Sequence, residues 1–207
     1  NVIARPLYQE VILPNLCYIG GGGEIAYWLE LKAAFDAMNV PFPILLVRNS
    51  ALIITEKQAD KLKRMNISTS DIFLKQSSLI NKKIREISNI DIDFGPQKKL
   101  LESQFKEMYT LTEKTDKSFL GAVKAQEVKQ KKGLDALEKR LLKAQKRKLK
   151  DQVVRLTDIQ NELFPNLSLQ ERQLNFSEFY LEYGKELLPI LFEALNPLEL
   201  NFTVITS

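Results

Sequence analysis

Four consecutive glycines, Gly20 to Gly23, stand between the apolar Cys17-Tyr18-Ile19 and the acidic Glu24. Where a strand ends and a helix opens, such a run lets the backbone approach a ligand that any Cβ would meet, and it aims unpaired N–H groups outward. The natural occupant is an anion, a phosphate or a carboxylate. The spacing does not match the dinucleotide-binding fingerprint, and Glu24 stands where a Walker loop has its lysine, so the glycines alone do not specify a nucleotide. A tight turn needing positive φ accounts for one or two glycines, less readily for four. Arg5 and Arg48 each follow an apolar run, Val2-Ile3-Ala4 and Ile44-Leu45-Leu46-Val47, which places them where the strands of an open sheet deliver residues to a ligand crevice. A guanidinium presents a planar fork to a carboxylate or phosphate. Each arginine is equally open to a salt bridge, with Glu10 and Glu24 as partners. Asn49 and Ser50 add neutral hydrogen-bonding groups at the same edge. Glu24 reads as a helix-start carboxylate favoured by the macrodipole rather than as a base, Tyr18 and Trp28 read as core, and Cys17 reads as buried packing. The candidate binding set is therefore Arg5, Tyr18, Gly20, Gly21, Gly22, Gly23, Glu24, Arg48, Asn49 and Ser50, with no catalytic residue assigned.

What the composition excludes narrows the chemistry further. The 207 residues contain no histidine and one cysteine. No histidine-dependent triad and no imidazole acid or base is available within this chain. No internal disulfide, cysteine zinc site or histidine metal cluster can form, and no metal site is expected; the single thiol fits a reducing cytoplasm. No stretch approaches the roughly 18 uninterrupted apolar residues of a membrane span, and no leader sequence is expected. Chemistry has to come from carboxylates, lysines, arginines, tyrosines and backbone amides, or from residues outside this chain. The first residue is Asn1 rather than methionine, which leaves room for a preceding part.

The elements that must position the glycines lie in residues 1–55. Short apolar runs at Val2-Ile3-Ala4, Ile12-Leu13 and Cys17-Tyr18-Ile19 read as strands, Glu24 to Met38 as an amphipathic helix, Pro43 to Val47 as a buried strand, and Ala51 to Ile54 as another. Strand, helix, strand in that order is the unit of a parallel sheet, so the fold class is α/β.

Charge divides the chain into three. Residues 1–55 hold three basic and four acidic groups, residues 56–164 hold 25 and 16, and residues 165–207 hold two and six. The middle segment reads as helix: one capped at Thr55, a second starting near Ser70 and Asp71 and carrying Leu79, Ile80, Ile84 and Ile87, then a heptad seam through Leu101, Phe105, Met108, Thr112, Thr115, Phe119 and Ala122. The pattern restarts near Gly133 with Leu134, Leu137, Leu141 and Ala144, slips near Lys148 and runs from Leu149 to Leu163, where Pro165 stops it. Two such helices joined near a glycine predict an antiparallel hairpin with arms of about 30 residues, roughly 45 Å, long enough to project from a domain of this size. The basic run Lys143 to Lys150 has no interleaved aromatics to stack on bases, so it reads as a solvated coiled-coil face and no nucleic-acid partner is expected. In the tail, Leu187, Leu188, Leu191, Phe192 and Leu195 need a surface to pack on.

One family shares these residues. Arg5-Pro6-Leu7-Tyr8-Gln9-Glu10, Leu13-Pro14-Asn15-Leu16, Tyr18 through Trp28, Pro41-Phe42-Pro43-Ile44-Leu45 and Arg48-Asn49-Ser50 resemble the bacillithiol biosynthesis cysteine-adding enzymes, with looser similarity through to Phe179-Tyr180, Tyr183-Gly184, Pro197-Leu198 and Phe202-Thr203-Val204. Members are roughly twice this length, so the resemblance implies a C-terminal portion: residues 1–55 as half of a partial Rossmann-like core, 56–164 as an inserted, homodimerising antiparallel coiled coil, and 165–207 as a segment returning to the core. It also implies a ligase that joins cysteine to glucosaminyl malate, with ATP as co-substrate, in the cytoplasm and with no membrane partner. The absent half, with its own histidines, would supply much of the nucleotide site, so this portion alone is expected to be inactive. The alternative is a non-catalytic coiled-coil dimerisation module carrying a phosphate- or carboxylate-binding loop.

Overall fold

In the computed structural model, which describes residues 4–115 and 117–206, Ala4–Ile12 form helix α1 rather than a strand. Pro6 falls in the first turn, where a missing N–H breaks no intrahelical bond, and Pro14 closes the other end. The Ile12-Leu13 strand is thereby replaced by the end of a helix, and Val2 and Ile3 lie outside the described residues. After α1 come β1 (Cys17–Gly20), α2 (Gly22–Glu30), α3 (Lys32–Ala37), β2 (Ile44–Val47) and β3 (Ser50–Ile54). The expected Glu24–Met38 helix is thus two, broken at Leu31. Asn39 adopts φ 53° just past α3, and Val40 N–H closes back on the Phe35 carbonyl at 3.0 Å.

Strand β1 pairs in parallel with β2, Cys17 opposite Ile44 through Gly20 opposite Val47. The core beside them is aromatic: Trp28, Leu31 and Phe35 are buried, Tyr18 stacks on Trp28 at 4.2 Å, and Phe42 meets Phe35 edge-on at 5.0 Å. Strand β2 is not the buried strand its composition predicts. Ile44 is 71% exposed and Ile19 60%, because this two-stranded sheet packs on the aromatic cluster from one side only. Cys17 is exposed for the same reason, correcting its reading as buried packing.

Helices α4 (Glu56–Arg64), α5 (Thr69–Ile72) and α6 (Gln76–Ile87) follow, then α7 (Gly95–Thr112), α8 (Lys117–Lys148) and α9 (Lys150–Leu163). Thr55 caps α4 through a reciprocal pair, Gln58 N–H to Thr55 Oγ1 at 3.3 Å and Thr55 N–H to Gln58 Oε1 at 3.1 Å. Ser68, not Ser70 or Asp71, caps the next helix, and the one carrying Leu79, Ile80 and Ile84 begins at Gln76; Asp71 instead holds the Lys82 ammonium at 2.7 Å. The chain ends with α10 (Gln170–Gln173), α11 (Phe176–Tyr183), α12 (Leu187–Ala194) and β4 (Phe202–Thr206), which lies parallel to β3, Ser50 opposite Phe202. Of the apolar tail residues only Leu187 is fully buried; Leu188 and Phe192 are exposed. Two compact units result, one of Asn1–Lys61 with Leu163–Ser207, the other of Leu62–Glu162.

Within the second unit the chain does not turn at Gly133. That residue lies inside α8, 32 residues long, and the turn falls after Thr112, interrupting the expected seam; the partner helix α7 has 18 residues, not about 30. A glycine in a helix interior costs about 1 kcal/mol, but contacts on either side of Gly133 hold α8 in place. Partners descend along α8 as they ascend along α7: Lys98 with Asp135 and Glu138, Glu102 with Lys131, Tyr109 with Glu127. Leu101, Phe105 and Val123 form the buried seam, flanked by Tyr109 and Leu134. At the end of α7 the hydroxyls of Thr110 and Thr112 donate to carbonyls three residues back, and the Tyr109 carbonyl that Thr112 reaches is one of those a terminating helix leaves open. Met108 and Phe119, expected on the seam, are exposed. The slip near Lys148 coincides with the break between α8 and α9.

Lys98, then Arg85, hold the Glu138 carboxyl below the usual carboxylate range. A depressed folded pKa stabilises above the unfolded value of about 4.3 and the effect is lost as pH falls through the folded value. Glu138→Gln is accordingly expected to lower the melting temperature at pH 7 and to flatten the loss of stability below about pH 4. Thermal melts of both proteins from pH 7 to pH 2.5 check this; parallel curves would refute it.

Candidate functional site

The four glycines divide by what surrounds them. None has a positive φ, so a tight turn does not account for them. A Cβ built on Gly20 would stand 2.8 Å from Tyr18 Cε1, inside the ring that stacks on Trp28, so packing alone demands glycine there. At Gly21 the three nearest atoms to such a Cβ are Arg172 Nη2 at 3.0 Å, Arg48 Nη2 at 3.6 Å and Glu24 Oε2 at 3.6 Å. At Gly22 and Gly23 nothing lies within 4 Å. These last two open α2 toward open space, and helix-start N–H groups have no intrahelical acceptor.

Glu24 turns its carboxylate back onto the helix start, where the Gly21 N–H donates to Oε2 at 2.7 Å. That is the helix-start role rather than a base. Arg48 directly follows β2, its N–H donating to the Gly20 carbonyl at 2.9 Å, and its half-buried side chain reaches the glycine run. Tyr18 serves packing. Asn49 and Ser50 stand at the same edge with their side chains engaged elsewhere: Asn49 Nδ2 donates to the Asn196 carbonyl at 2.8 Å and Ser50 Oγ to Glu171 Oε1 at 3.2 Å. Arg5 is not at a strand end but on the exposed face of α1, and it is not among the atoms nearest Gly21.

The residue that reading the sequence missed is Arg172. It sits on α10, which lies along β3: Gln170 accepts from Ile53 N–H at 2.9 Å and donates to Ile53 O at 3.0 Å, and Glu171 Oε2 accepts from Ala51 N–H at 3.2 Å. A signal existed in the polar quartet Gln-Glu-Arg-Gln, whose side chains have no apolar face to bury and so must satisfy backbone or ligand. Gln170→Ala is expected to leave the Ile53 N–H and carbonyl without partners and to lower stability by about 1–3 kcal/mol; urea unfolding measures it, and a loss under about 0.5 kcal/mol would contradict the pairing. Among the described residues no group of three or more acidic or thiol side chains stands close enough to hold a metal ion, and no helix is long and apolar enough to cross a membrane.

What this arrangement brings together at Gly21 is two guanidinium groups and the Glu24 carboxylate. Comparison with known proteins identifies its setting. A family model described as the C-terminal coiled-coil domain of bacillithiol biosynthesis BshC matches residues 51–207, and one described as its N-terminal Rossmann-like domain matches residues 1–49. The chain belongs to the bacillithiol biosynthesis BshC family. It is 68% identical over 206 residues to the "Putative cysteine ligase BshC" of Christiangramia forsetii, covering 100% of this chain and 38% of that protein. Proteins of the same name from Flavobacterium johnsoniae and Flavobacterium psychrophilum are 65% and 59% identical, over 100% and 99% of this chain and 39% of each relative. The chain therefore spans about two fifths of the length of the curated BshC relatives it matches. Its Rossmann-like part carries β1, α2 and Arg48, while Arg172 comes from the coiled-coil match.

Proposed function

We propose that the protein joins cysteine to glucosaminyl malate to give bacillithiol, with ATP activating the carboxylate of cysteine, and that it does so in the cytoplasm as a homodimer. The observation that carries this is the placement of Arg48 beside the glycine run in a chain of the BshC family. A carboxylate oxygen of cysteine attacks a phosphorus of ATP, and pyrophosphate or ADP leaves. The glucosamine amine then attacks the activated carbonyl; the C–N bond forms, AMP or phosphate departs, and the amine proton passes to solvent. In this scheme the Gly20 to Gly23 backbone and Arg48 bind and orient an anionic group of one substrate by preorganised hydrogen bonds. The remainder of the nucleotide site belongs to residues outside this chain, so the 207 residues by themselves are inactive. Incubating the full-length protein with cysteine, glucosaminyl malate and ATP should yield the mass of bacillithiol together with AMP or ADP, read by thiol labelling and mass spectrometry. No product with all three substrates present would overturn the ligase reading.

The α7 and α8 pair, read as an antiparallel coiled-coil hairpin, supports the dimer. Beside its buried seam runs an apolar groove of about 360 Å³ lined by Leu100, Leu134 and Leu137 around Gly133, and Leu100 is 63% exposed. A second copy covering that face would bury it. This groove equally supports the reading of the chain as a non-catalytic dimerisation module with an anion-binding loop. Light scattering of the full-length protein checks the dimer, and a monomer at micromolar concentration would remove it from both readings.

A further inference from the structure

Arg172 owes its position to its neighbours. Ala51 and Ile53, alternate residues of β3, turn their N–H groups toward α10, and Glu171 and Gln170 accept them, so the backbone that carries Arg172 is tied to the strand at two points. From there its Nη2 comes 3.0 Å from the Cβ position on Gly21, and Arg48 Nη2 lies 3.6 Å from the same position. The two nitrogens are thus no more than about 7 Å apart, close enough for like charges to repel. Among the described residues neither side chain has a hydrogen bond or an ion pair. The third of the three atoms nearest that position is a carboxylate oxygen, Glu24 Oε2 at 3.6 Å, and it accepts the Gly21 N–H. Beside it the two guanidiniums bring two positive charges to the same point. Converging, unpartnered arginines at a point where a side chain is missing are arranged for an anion from outside.

We infer that Arg172 is a second ligand-binding residue, which with Arg48 grips one multiply charged oxyanion group of a substrate beside Gly21. The class of ligand is a phosphate or a dicarboxylate; which substrate brings it rests on the ligase reading, a nucleotide phosphate or the malate end of the acceptor. Calorimetric titrations of the full-length protein with ATP, with inorganic phosphate and with malate distinguish the sources. Arg172→Gln is expected to weaken binding of ATP and phosphate, or of malate, by about tenfold or more, with Arg172→Lys between that variant and wild type. Gly21→Ala, which sets a methyl 3.0 Å from Arg172 Nη2, should weaken the same probe. Arg48→Gln and Arg172→Gln combined should cost less than the product of the single losses, since both hold one group. Circular dichroism melts of Arg172→Gln should match wild type, as expected of an exposed residue. Unchanged affinity of Arg172→Gln for all three probes, a fully multiplicative double variant, or a wild-type protein that binds none of the three would overturn the inference. Bacillithiol formation is a separate readout: its failure with the binding pattern intact removes the ligase reading and leaves the arginine pair standing.

Discussion

Replacing Arg48 with alanine in the full-length protein is expected to weaken substrate binding on the order of 10²-fold while leaving the melting temperature within about a degree of wild type. The first half follows from charge: a hydrogen bond to an ionised group contributes about 1.5–3 kcal/mol, the upper end of which is a factor of about 10² in affinity. The second follows from the contacts. The Arg48 side chain has no hydrogen bond or ion pair among the described residues, and the bond its backbone makes to the Gly20 carbonyl survives in alanine. Calorimetric titration with ATP and with malate, beside thermal melts, checks both halves. Unchanged affinity would remove Arg48 from the site, and a large drop in melting temperature would recast it as structural.

Phe105→Ala should destabilise the helical unit far more than any surface change. Phe105 is 2% exposed and packs with Leu101 and Val123 where α7 meets α8. Truncating a buried phenylalanine removes its transfer free energy and leaves a cavity that helices can only partly collapse, a loss of about 3–5 kcal/mol. Against a total stability of about 5–15 kcal/mol that is a large fraction. Leu100→Ala, on the neighbouring exposed position, should stay within about 0.5 kcal/mol for the monomer. Urea unfolding of the two variants tests the contrast; a loss below about 1 kcal/mol at Phe105 would mean that the seam is not the packed core of this unit.

The ion pairs of the same unit act differently. Lys131 and Tyr109 hold the Glu127 carboxyl below its usual range, as Lys98 and Arg85 do for Glu138. Both glutamates are partly buried while their lysines are about a third exposed, so each pair adds a modest share of stability besides setting the direction of the acid response.

Much of the candidate site was legible because its signals are local. A glycine run at a strand-to-helix junction, an arginine directly after an apolar strand, and a proline past the last apolar repeat are written within a few residues of where they act. So were the buried seam positions Leu101 and Phe105, since helical spacing places them on one face. Other expectations failed where local signals were ambiguous. Ile12-Leu13 suggested a strand, and they end α1 because Pro6 suits a first helical turn as well as a strand end and so lets the helix run up to them. Gly133 looked like a hinge, but a penalty of about 1 kcal/mol is smaller than what packing against α7 supplies on both sides of it.

The sequence by itself determined the punctuation and part of the faces: where the glycines open a helix, where Arg48 is delivered, and that Leu101 and Phe105 of α7 turn inward. Only the tertiary structure decided that Arg172 meets Arg48 at Gly21, that β4 lies beside β3, and that the chain turns after Thr112. The physical reason is one of range. Periodicity and conformational preference act over a turn or two of chain, whereas the placement of α10 rests on hydrogen bonds that Gln170 and Glu171 accept from a strand more than a hundred residues away, and nothing in the local spacing of either segment records its partner.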